Sequence, residues 1–401
     1  MALGLVTQTL LARILGPRGY GLYAYVLSWS NVAGLLCALE FANAGVRYIS
    51  AYAATEDWGS LRGFIRRSHQ IVSATTIPIA ILGAVVLASL HGMDQTTQLA
   101  FLAVCALFPL TSLVQLQGGI LLGLKRVTES QAPFQVMRPA LFAVAILVTD
   151  HALGTRFNAP EAVLLQLIAT GAALAATSYA LNRERPGDTR RVPPVYHTME
   201  WVRSSAHFVA ISVAQLVLST QADLLVVGAL LTKSDTGLYG AASQLATLVA
   251  FGASAVMVIA QPMIADLFAR KEIDALRRVS MQIIKLTLLA SLPVFLVVVV
   301  FGRNLLHLYG QPFMEAYPVL VVLAIAQLIA AVVGMLLGYL FTMTSHQHLA
   351  TRIIGFSAAL NIALTLYLTP RYGIIGTASA TAIATLSRSV ALALSARRIF
   401  S

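Results

Sequence analysis

The chain has 401 residues, of which 58% are hydrophobic and 11% are charged, and its formal net charge is +11 at pH 7. Soluble domains contain about 25% charged residues, so this composition excludes a large soluble domain. In a soluble chain, such an excess of basic over acidic residues would favour nucleic acid as the partner. In a membrane protein, however, Lys and Arg collect in cytoplasmic loops, so we expect no nucleic-acid partner.

Apolar runs of about 20 residues recur from one end of the chain to the other, and each is long enough to cross a hydrocarbon core of about 30 Å. They predict an all-α polytopic membrane protein with about twelve transmembrane helices. In chain order, the predicted spans are 1–15, 21–47, 69–90, 98–123, 132–150, 160–181, 205–231, 237–262, 281–302, 316–343, 352–369 and 373–396.

The loops between these spans alternate in character. One set is longer or more basic, and 18 of the 27 Lys and Arg residues lie in it or beside it, against six in the other set. Basic loops face the cytoplasm in most membrane proteins. The alternation therefore predicts that both termini are cytoplasmic.

A turn motif occurs twice, about half the chain length apart. Residues 12–25 are ARILGPRGYGLYAY and residues 229–242 are ALLTKSDTGLYGAA, so that Gly21 and Gly237 correspond. With six spans in each half, the two copies have the same orientation, which predicts a parallel repeat about an axis along the membrane normal. The alternative is that any two membrane hairpins look alike.

The repeat predicts an N-terminal lobe at 1–181, a cytoplasmic linker at 182–203 and a C-terminal lobe at 204–401, each lobe with six helices. At the same offset Met1 corresponds to Val217, so the counterpart of residues 205–216 is missing and the first helix is expected to be truncated. Either a fragment or a start codon placed too late would explain that.

Several segments together resemble the polysaccharide-repeat-unit flippases (Wzx-type), which belong to the multidrug/oligosaccharidyl-lipid/polysaccharide exporter superfamily. The segments, in chain order, are LARILGPRGYGLYAYVLSWSNVAGLL, the Gly45-Val46-Arg47 exit from the second span, Asp223 before VVGALLTKSDTGLYGAASQL, LLHLYGQPFMEAYPVLVVLA at 305–324, and Asn361 followed by LTPRYGIIGTASATAIAT. The resemblance covers nearly the whole chain.

The resemblance implies two six-helix lobes around a central cavity and a flippase that works by alternating access in a bacterial or archaeal plasma membrane. The implied substrate is an undecaprenyl-diphosphate-linked oligosaccharide used for O-antigen, lipopolysaccharide or exopolysaccharide biosynthesis. A polysaccharide polymerase and a chain-length regulator are the further partners it suggests. The alternatives are a cation-coupled multidrug exporter or a lipid II flippase of the same superfamily, and a membrane glycosyltransferase or polymerase.

Three arginines lie within predicted spans or at their edges: Arg138, Arg388 and Arg47. A planar guanidinium pairs well with phosphate oxygens, and an intramembrane arginine is a functional candidate by default. We therefore expect them to bind the diphosphate in the cavity. The alternative for Arg138 is snorkelling to the cytoplasmic surface, and for Arg47 it is anchoring at the interface.

Two carboxylates also lie within predicted spans. Asp223 follows Ser219, Thr220 and Gln221 in the seventh span, and Glu40 precedes Arg47 by seven residues, which places both on one face of a continuous helix. A buried acid can titrate or bind a cation, so both are candidates for coupling transport to an ion gradient. The alternative is a structural partner for an arginine or a hydroxyl.

The remaining polar features predict structural roles or no chemistry. The tyrosines near the repeated turns, Tyr20, Tyr23 and Tyr239, suit the bilayer interface. The sequence contains no GxSxG, HExxH, Walker A or GxGxxG motif, and Cys37 and Cys105 form no metal-ligand pattern. We therefore expect neither an enzyme nor a bound cofactor or metal.

Overall fold

The computed structural model describes residues 2–89, 92–153, 158–190, 192–270, 272–343 and 347–400. The predicted loop at 344–352 therefore lies partly outside the described residues. By compactness the chain divides into two units. Unit 1 is Met1–Leu15 with Leu22–Val213, and unit 2 is Gly16–Gly21 with Ala214–Ser401. The predicted lobe limits, 1–181 and 204–401, stay predictions.

The described residues form helices and connecting turns, with no strand among them. The first eight helices are α1 (Ala2–Ala38), α2 (Phe41–Ala54), α3 (Trp58–Ser89), α4 (Gln95–Gly123), α5 (Val127–Ala132), α6 (Arg138–Leu153), α7 (Ala159–Glu184) and α8 (Thr198–Val217). The others are α9 (Thr220–Leu230), α10 (Lys233–Ala246), α11 (Phe251–Ala269), α12 (Ile273–Val300), α13 (Gly302–Tyr309), α14 (Tyr317–Ile329), α15 (Met335–Met343) and α16 (Gln347–Phe400).

Nine helical stretches within the described ranges are long and apolar enough to cross a membrane. Two of them, in α1 and α16, each contain a kink with positive φ, at Gly16 (65°) and Gly373 (61°). Each of these two helices covers two predicted spans, and α8 with α9 covers the seventh. The predicted all-α polytopic fold with about twelve spans is thus confirmed.

The kink in α16 is a chain reversal. The Thr369 and Thr377 hydroxyl oxygens lie 2.8 Å apart, and a Cβ added to Gly376 would meet the Leu368 carbonyl oxygen. Eight residues of straight helix would separate these positions by about 12 Å. Gly373 allows the reversal because it has no Cβ to clash at positive φ.

Five predicted spans are interrupted where the sequence suggested continuous helices, and one of them is the eighth, which contains a 3-10 turn at Thr247–Ala250. The second breaks at Leu39 and Glu40, whose φ angles of 51° and 53° are left-handed, and the seventh breaks between Val217 and Thr220. The fifth and tenth contain π-helical turns, at Pro133–Met137 and Ala330–Gly334. Such π turns occur frequently at functional sites.

The segment predicted as a linker, 182–203, packs against the start of α3 within unit 1. The Arg62 guanidinium donates to the Val192 carbonyl oxygen at 2.7 Å, and the Val195 amide donates to the Gly59 carbonyl oxygen at 3.0 Å. Trp201 is fully buried, and its indole N–H donates to the Tyr52 hydroxyl at 3.0 Å. This segment is therefore packed on unit 1 and anchored by Trp201, while most of its other described residues are exposed or half-buried.

The two repeated turns contact each other, and the contact lies wholly within unit 2. A Cβ added to Gly21 would meet the Lys233 carbonyl oxygen and come within 2.6 Å of the Gly237 amide nitrogen. A Cβ added to Gly237 would likewise meet the Pro17 carbonyl oxygen. The turns thus pack backbone against backbone.

The tyrosines near these turns are packed inside the protein, and their expected position at the bilayer interface stays a prediction. Tyr20, Tyr23 and Tyr239 are only 4%, 1% and 0% exposed. Tyr20 lies edge-to-face against Phe313, with 6.1 Å between ring centroids. Tertiary packing therefore covers these rings.

We expect Gly21→Ala to lower the midpoint temperature of thermal unfolding, because overpacking a tight contact costs about 1–3 kcal/mol. The matched control is Gly355→Ala, since a Cβ there meets nothing within 4 Å and alanine favours an exposed helix. Thermal unfolding in detergent compares the two variants. An equal effect of both would contradict backbone packing at the repeated turns.

Candidate functional site

The side chain of Arg138, in unit 1, is half-buried and rests on an aromatic ring. This arginine is the first residue of α6, directly after the π-helical turn Pro133–Met137, and its Cζ lies 4.0 Å from the centroid of the Phe134 ring. Its Nε is buried and has no hydrogen-bond partner among the described residues. The cation–π contact holds the side chain while leaving an N–H donor unused.

The backbone around Arg138 explains its placement. Pro139 has no N–H to donate to the preceding turn, in keeping with the π-helical turn just before it. The Thr7 hydroxyl donates to the Pro139 carbonyl oxygen at 3.3 Å, which joins α1 to α6 at this level. Nearby, Tyr23 stacks on Phe142 with 6.2 Å between ring centroids. The arginine thus lies in a packed and locally irregular part of the unit.

Glu40 and Phe134 line one polar pocket in unit 1, with a volume of about 270 Å³. The side-chain amides and hydroxyl that line the same pocket belong to Asn43, Gln115, Ser130 and Gln131. Glu40 Oε2 accepts a hydrogen bond from Asn43 Nδ2 at 2.6 Å. The structure therefore brings Glu40 together with the aromatic ring on which Arg138 lies.

The backbone at Glu40 is strained. Left-handed φ angles at two consecutive non-glycine residues, Leu39 and Glu40, cost about 1–3 kcal/mol each, and such strain is concentrated at functional sites. Glu40 precedes the first residue of α2, so it is not part of the helix that contains Arg47. The continuous helix that would place both side chains on one face is therefore absent here.

Arg47 lies apart from this pocket. It is exposed, its Nη1 lies 3.5 Å from the Ser204 hydroxyl, and its Cζ lies 5.6 Å from the Tyr48 ring centroid. This environment fits an anchor at the end of a span at least as well as a substrate contact.

Asp223 in unit 2 is 3% exposed and lies in the first turn of α9. Its Oδ2 accepts hydrogen bonds from the Tyr239 hydroxyl at 2.6 Å and the Thr381 hydroxyl at 3.0 Å. A buried carboxylate is costly without such donors, and the N-terminal end of a helix further stabilises its negative charge. Three helices, α9, α10 and α16, thus position one carboxylate.

The helix break beside Asp223 is itself held by side chains. Asn361 Nδ2 donates to the Val217 carbonyl oxygen at 3.1 Å, at the end of α8, and the Thr365 hydroxyl donates to Asn361 Oδ1 at 3.3 Å. Ser219 accepts from the Gln221 amide at 3.3 Å and so caps α9. The seventh span is therefore a discontinuous helix with an acid at the break.

Arg388 lies on α16 seven residues after Thr381, hence on the same helix face and about 10 Å farther along the axis. It is half-buried, and its Nη2 lies 3.9 Å from the position of a Cβ added to Gly334, the last residue of the second π-helical turn. Arg388 thus shares a face of α16 with Thr381, the residue that donates to Asp223.

Sequence analysis missed the residues that contact Arg138 and Asp223. Phe134 could have been found, because it precedes Arg138 by four residues and so lies on the same helix face. Tyr239 was noted only as part of a repeated turn, and Thr381 only as part of the segment LTPRYGIIGTASATAIAT. The last two reach Asp223 only through tertiary packing.

We expect Tyr239→Phe to lower the midpoint temperature of unfolding, because the buried Asp223 carboxylate loses a donor, at a cost of about 1–3 kcal/mol. The control is Tyr179→Phe, since Tyr179 is 69% exposed. Thermal unfolding of both variants in one detergent checks the expectation. A wild-type midpoint for Tyr239→Phe would show that this hydroxyl does not stabilise the carboxylate.

Two family models match the chain. The one described as "Polysaccharide biosynthesis protein" matches residues 1–268, and the one described as "MatE" matches residues 209–367. A curated relative is the "Probable low-salt glycan biosynthesis flippase Agl15" of Haloferax volcanii, 26% identical over 162 residues, which are 40% of this chain and 34% of the relative. The chain thus spans about a third of that relative's length.

Solved structures share the fold at low sequence identity. An inward-facing multidrug resistance MATE family transporter of the MOP superfamily has a TM-score of 0.81 at 15% identity, covering 100% of this chain and 94% of that one. The lipid II flippase MurJ in an inward closed conformation has a TM-score of 0.73 at 14% identity, covering 99% and 85%.

The fold and the spans define a multi-pass membrane protein that shares its fold with these transporters. The chain belongs to the polysaccharide biosynthesis protein family, whose model matches two thirds of its length. The resemblance seen in the sequence is thereby confirmed.

Proposed function

We propose that this protein is a flippase that moves an undecaprenyl-diphosphate-linked oligosaccharide repeat unit from the cytoplasmic to the outer leaflet for polysaccharide biosynthesis. Movement is by alternating access, and the protein itself performs no covalent chemistry. The observation behind the proposal is the buried, unpaired Nε of Arg138 in a member of a polysaccharide biosynthesis family.

The diphosphate suits Arg138. A guanidinium forms short, charge-assisted hydrogen bonds with phosphate oxygens, and these are about twice as strong as neutral ones. The contact with Phe134 fixes the guanidinium, so less side-chain freedom is lost on binding. Arg388 offers a second half-buried guanidinium in unit 2, and Arg47 a third, exposed one. We assign the diphosphate to Arg138 first and to Arg388 and Arg47 second.

The glycan suits the polar pocket next to Phe134. Sugars present hydroxyls that both donate and accept, which matches the side-chain amides of Asn43, Gln115 and Gln131. The carboxylate of Glu40 accepts only, and its 2.6 Å bond to Asn43 keeps it in the pocket. This pocket supports a glycan contact for Glu40 more than the coupling role expected from the sequence.

Asp223 is the group that we propose for ion coupling. It lies at a discontinuous helix, an arrangement that transporters use for coupling ions near the bilayer midplane, and two hydroxyl oxygens adjoin its carboxylate. Oxygen ligands of this kind suit a small cation or a proton. Binding of the cation or proton at Asp223 would then favour one conformation of the transporter over another.

The location follows from the basic loops and the substrate. We propose the plasma membrane of a bacterium or archaeon, with both termini in the cytoplasm, where the substrate is assembled. A polysaccharide polymerase and a chain-length regulator would act on the product in the outer leaflet, and the polymer is O-antigen, lipopolysaccharide or exopolysaccharide.

The second candidate is a cation-coupled multidrug exporter. The MatE match to residues 209–367 and the fold of the MATE transporter favour it. Cationic drugs would prefer an acidic or apolar site, whereas an unpaired buried arginine repels them. A lipid II flippase, the third candidate, also binds a diphosphate and differs from the first in its glycan.

We expect Arg138→Gln to reduce surface polysaccharide in a strain that lacks its own repeat-unit flippase, because losing a charge-assisted contact costs about 1.5–3 kcal/mol, or about tenfold in affinity or more. Arg371→Gln, an exposed control, should rescue like the wild type. Polysaccharide is scored at equal membrane abundance. Gain of drug resistance without polysaccharide would instead support the exporter, and rescue of lipid II transport alone the third candidate.

We expect Asp223→Asn to abolish the response of transport to an imposed proton or sodium gradient, because the neutral amide can neither titrate nor neutralise a cation. The experiment uses proteoliposomes that contain the lipid-linked oligosaccharide, with the gradient applied or omitted. Asp150→Asn, an exposed residue of α6, is the control. A full gradient response in Asp223→Asn would exclude this residue from coupling.

A further inference from the structure

The Glu40 side chain does not cap the helix that it precedes. Its backbone carbonyl oxygen accepts from the Asn43 and Ala44 amides at 3.1 and 3.3 Å, so Glu40 occupies the N-cap position of α2. An acidic side chain at this position commonly accepts from a backbone amide two or three residues farther on. The Glu40 side chain makes no such bond, and it lines the 270 Å³ pocket instead. The carboxylate is therefore available to a ligand in that pocket.

The carboxylate of Glu40 keeps much of its capacity to accept hydrogen bonds. An ionised carboxyl group has two oxygens and about four acceptor sites. Oε2 accepts from Asn43 Nδ2 at 2.6 Å, whereas Oε1 has no hydrogen-bond partner among the described residues. Glu40 is also the one charged residue in the described lining, and no salt bridge reaches it from the described ranges. Its negative charge is therefore not neutralised within the pocket.

The polar neighbours of Glu40 also favour a ligand that donates. Asn43 uses one N–H on Glu40, so its Oδ1 can accept from a ligand. The Ser130 hydroxyl already donates to the Gly118 carbonyl oxygen at 2.8 Å, so it has no second proton to give. A ligand with hydroxyl groups would satisfy these acceptors. A ligand carboxylate only accepts, and it would leave them unpaired.

Phe134 fixes which part of the substrate reaches the pocket. Its ring lines the pocket, and the ring centroid lies 4.0 Å from Arg138 Cζ. A sugar in contact with the same ring lies within about 4–4.5 Å of it, so this sugar would be the one next to a phosphate held by Arg138. A volume of 270 Å³ lies just below the roughly 300–1,000 Å³ of sites for drug-sized ligands. The pocket therefore fits one sugar ring and not a whole oligosaccharide.

We propose that Glu40 determines the charge of the sugar attached to the diphosphate: the pocket takes a neutral, hydroxyl-bearing sugar and rejects an acidic one. This inference rests on the proposed function, since it takes diphosphate binding at Arg138 as given. A neutral sugar donates from its hydroxyls to the carboxylate. An acidic sugar would lie between two negative groups, the diphosphate and Glu40, and like charges placed together are strongly unfavourable. Selection is thus by repulsion as well as by attraction.

The experiment measures flipping of two matched substrates by the purified full chain in proteoliposomes. Both are undecaprenyl-diphosphate-linked disaccharides, and the first sugar is glucose in one and glucuronic acid in the other, which differ only at C6. Flipping is the rate at which protected sugar becomes cleavable by external periodate, which attacks the vicinal diols of both. We expect wild type to flip the glucose substrate at least about tenfold faster, because like charges in one site cost several kcal/mol.

Three variants test the role of Glu40 in this preference. Glu40→Gln should reduce the ratio of the two rates about tenfold, because the amide is neutral and also donates. Glu200→Gln, the control, neutralises an exposed acid of α8 outside the pocket and should leave the ratio within about twofold of wild type. Gln115→Glu adds a second carboxylate to the lining at an exposed position and should raise the ratio, which tests the inference even where Glu40→Gln does not fold.

The outcomes separate this inference from the proposed function. Equal flipping of both substrates by wild type, or faster flipping of the glucuronic acid substrate, would overturn the inference and leave the flippase in place. An unchanged ratio in a folded Glu40→Gln, or in Gln115→Glu, would overturn it as well. Flipping of neither substrate by wild type would instead overturn the proposed function, and this inference with it.

Discussion

In hydrocarbon, every polar or charged group must find its partner inside the protein, and the rest of this structure depends on that constraint. Each intramembrane charge that we followed is beside an interrupted helix. Arg138 follows one π-helical turn, Arg388 lies against the end of another, and Asp223 lies just after a break in the seventh span. An interrupted helix leaves backbone N–H and C=O groups without their helical hydrogen bonds. Side chains then pair with these groups, as Asn361 does with the Val217 carbonyl oxygen.

Asp223 and Arg138 differ in how fully their side chains are hydrogen-bonded within the protein. The carboxylate of Asp223 accepts from two hydroxyls, so its charge is tolerated when the site is empty. The Nε of Arg138 is buried without a hydrogen-bond partner in the part of the chain that is described. A desolvated donor of this kind costs about 1–3 kcal/mol. An anionic substrate that pairs with it would recover this cost, which is a physical reason for such a group at a binding site.

Sequence patterns predicted the architecture well and the local geometry poorly. The run lengths indicated about twelve spans, and the paired Gly-Leu-Tyr turns pointed to an internal similarity. The structure adds that Gly21 and Gly237 lie against each other's backbone. The break at Leu39 and Glu40 was missed because apolar content is continuous across it, and a hydropathy pattern does not report φ angles. The hydrogen bond from the buried Tyr239 hydroxyl to Asp223 was also missed, because the two residues meet only through helix packing.

The sequence by itself determined the membrane-spanning class, the approximate spans and the intramembrane charges, because hydrophobic run length and charge placement follow directly from bilayer thickness. Only the tertiary structure decided what each charge contacts. Thr381 reaches Asp223 from 158 positions away, and Arg62, Gln117 and Arg185 meet in one pocket from three helices. Such contacts depend on how helices pack, and helix packing is set by the summed fit of many side chains, which no local pattern contains.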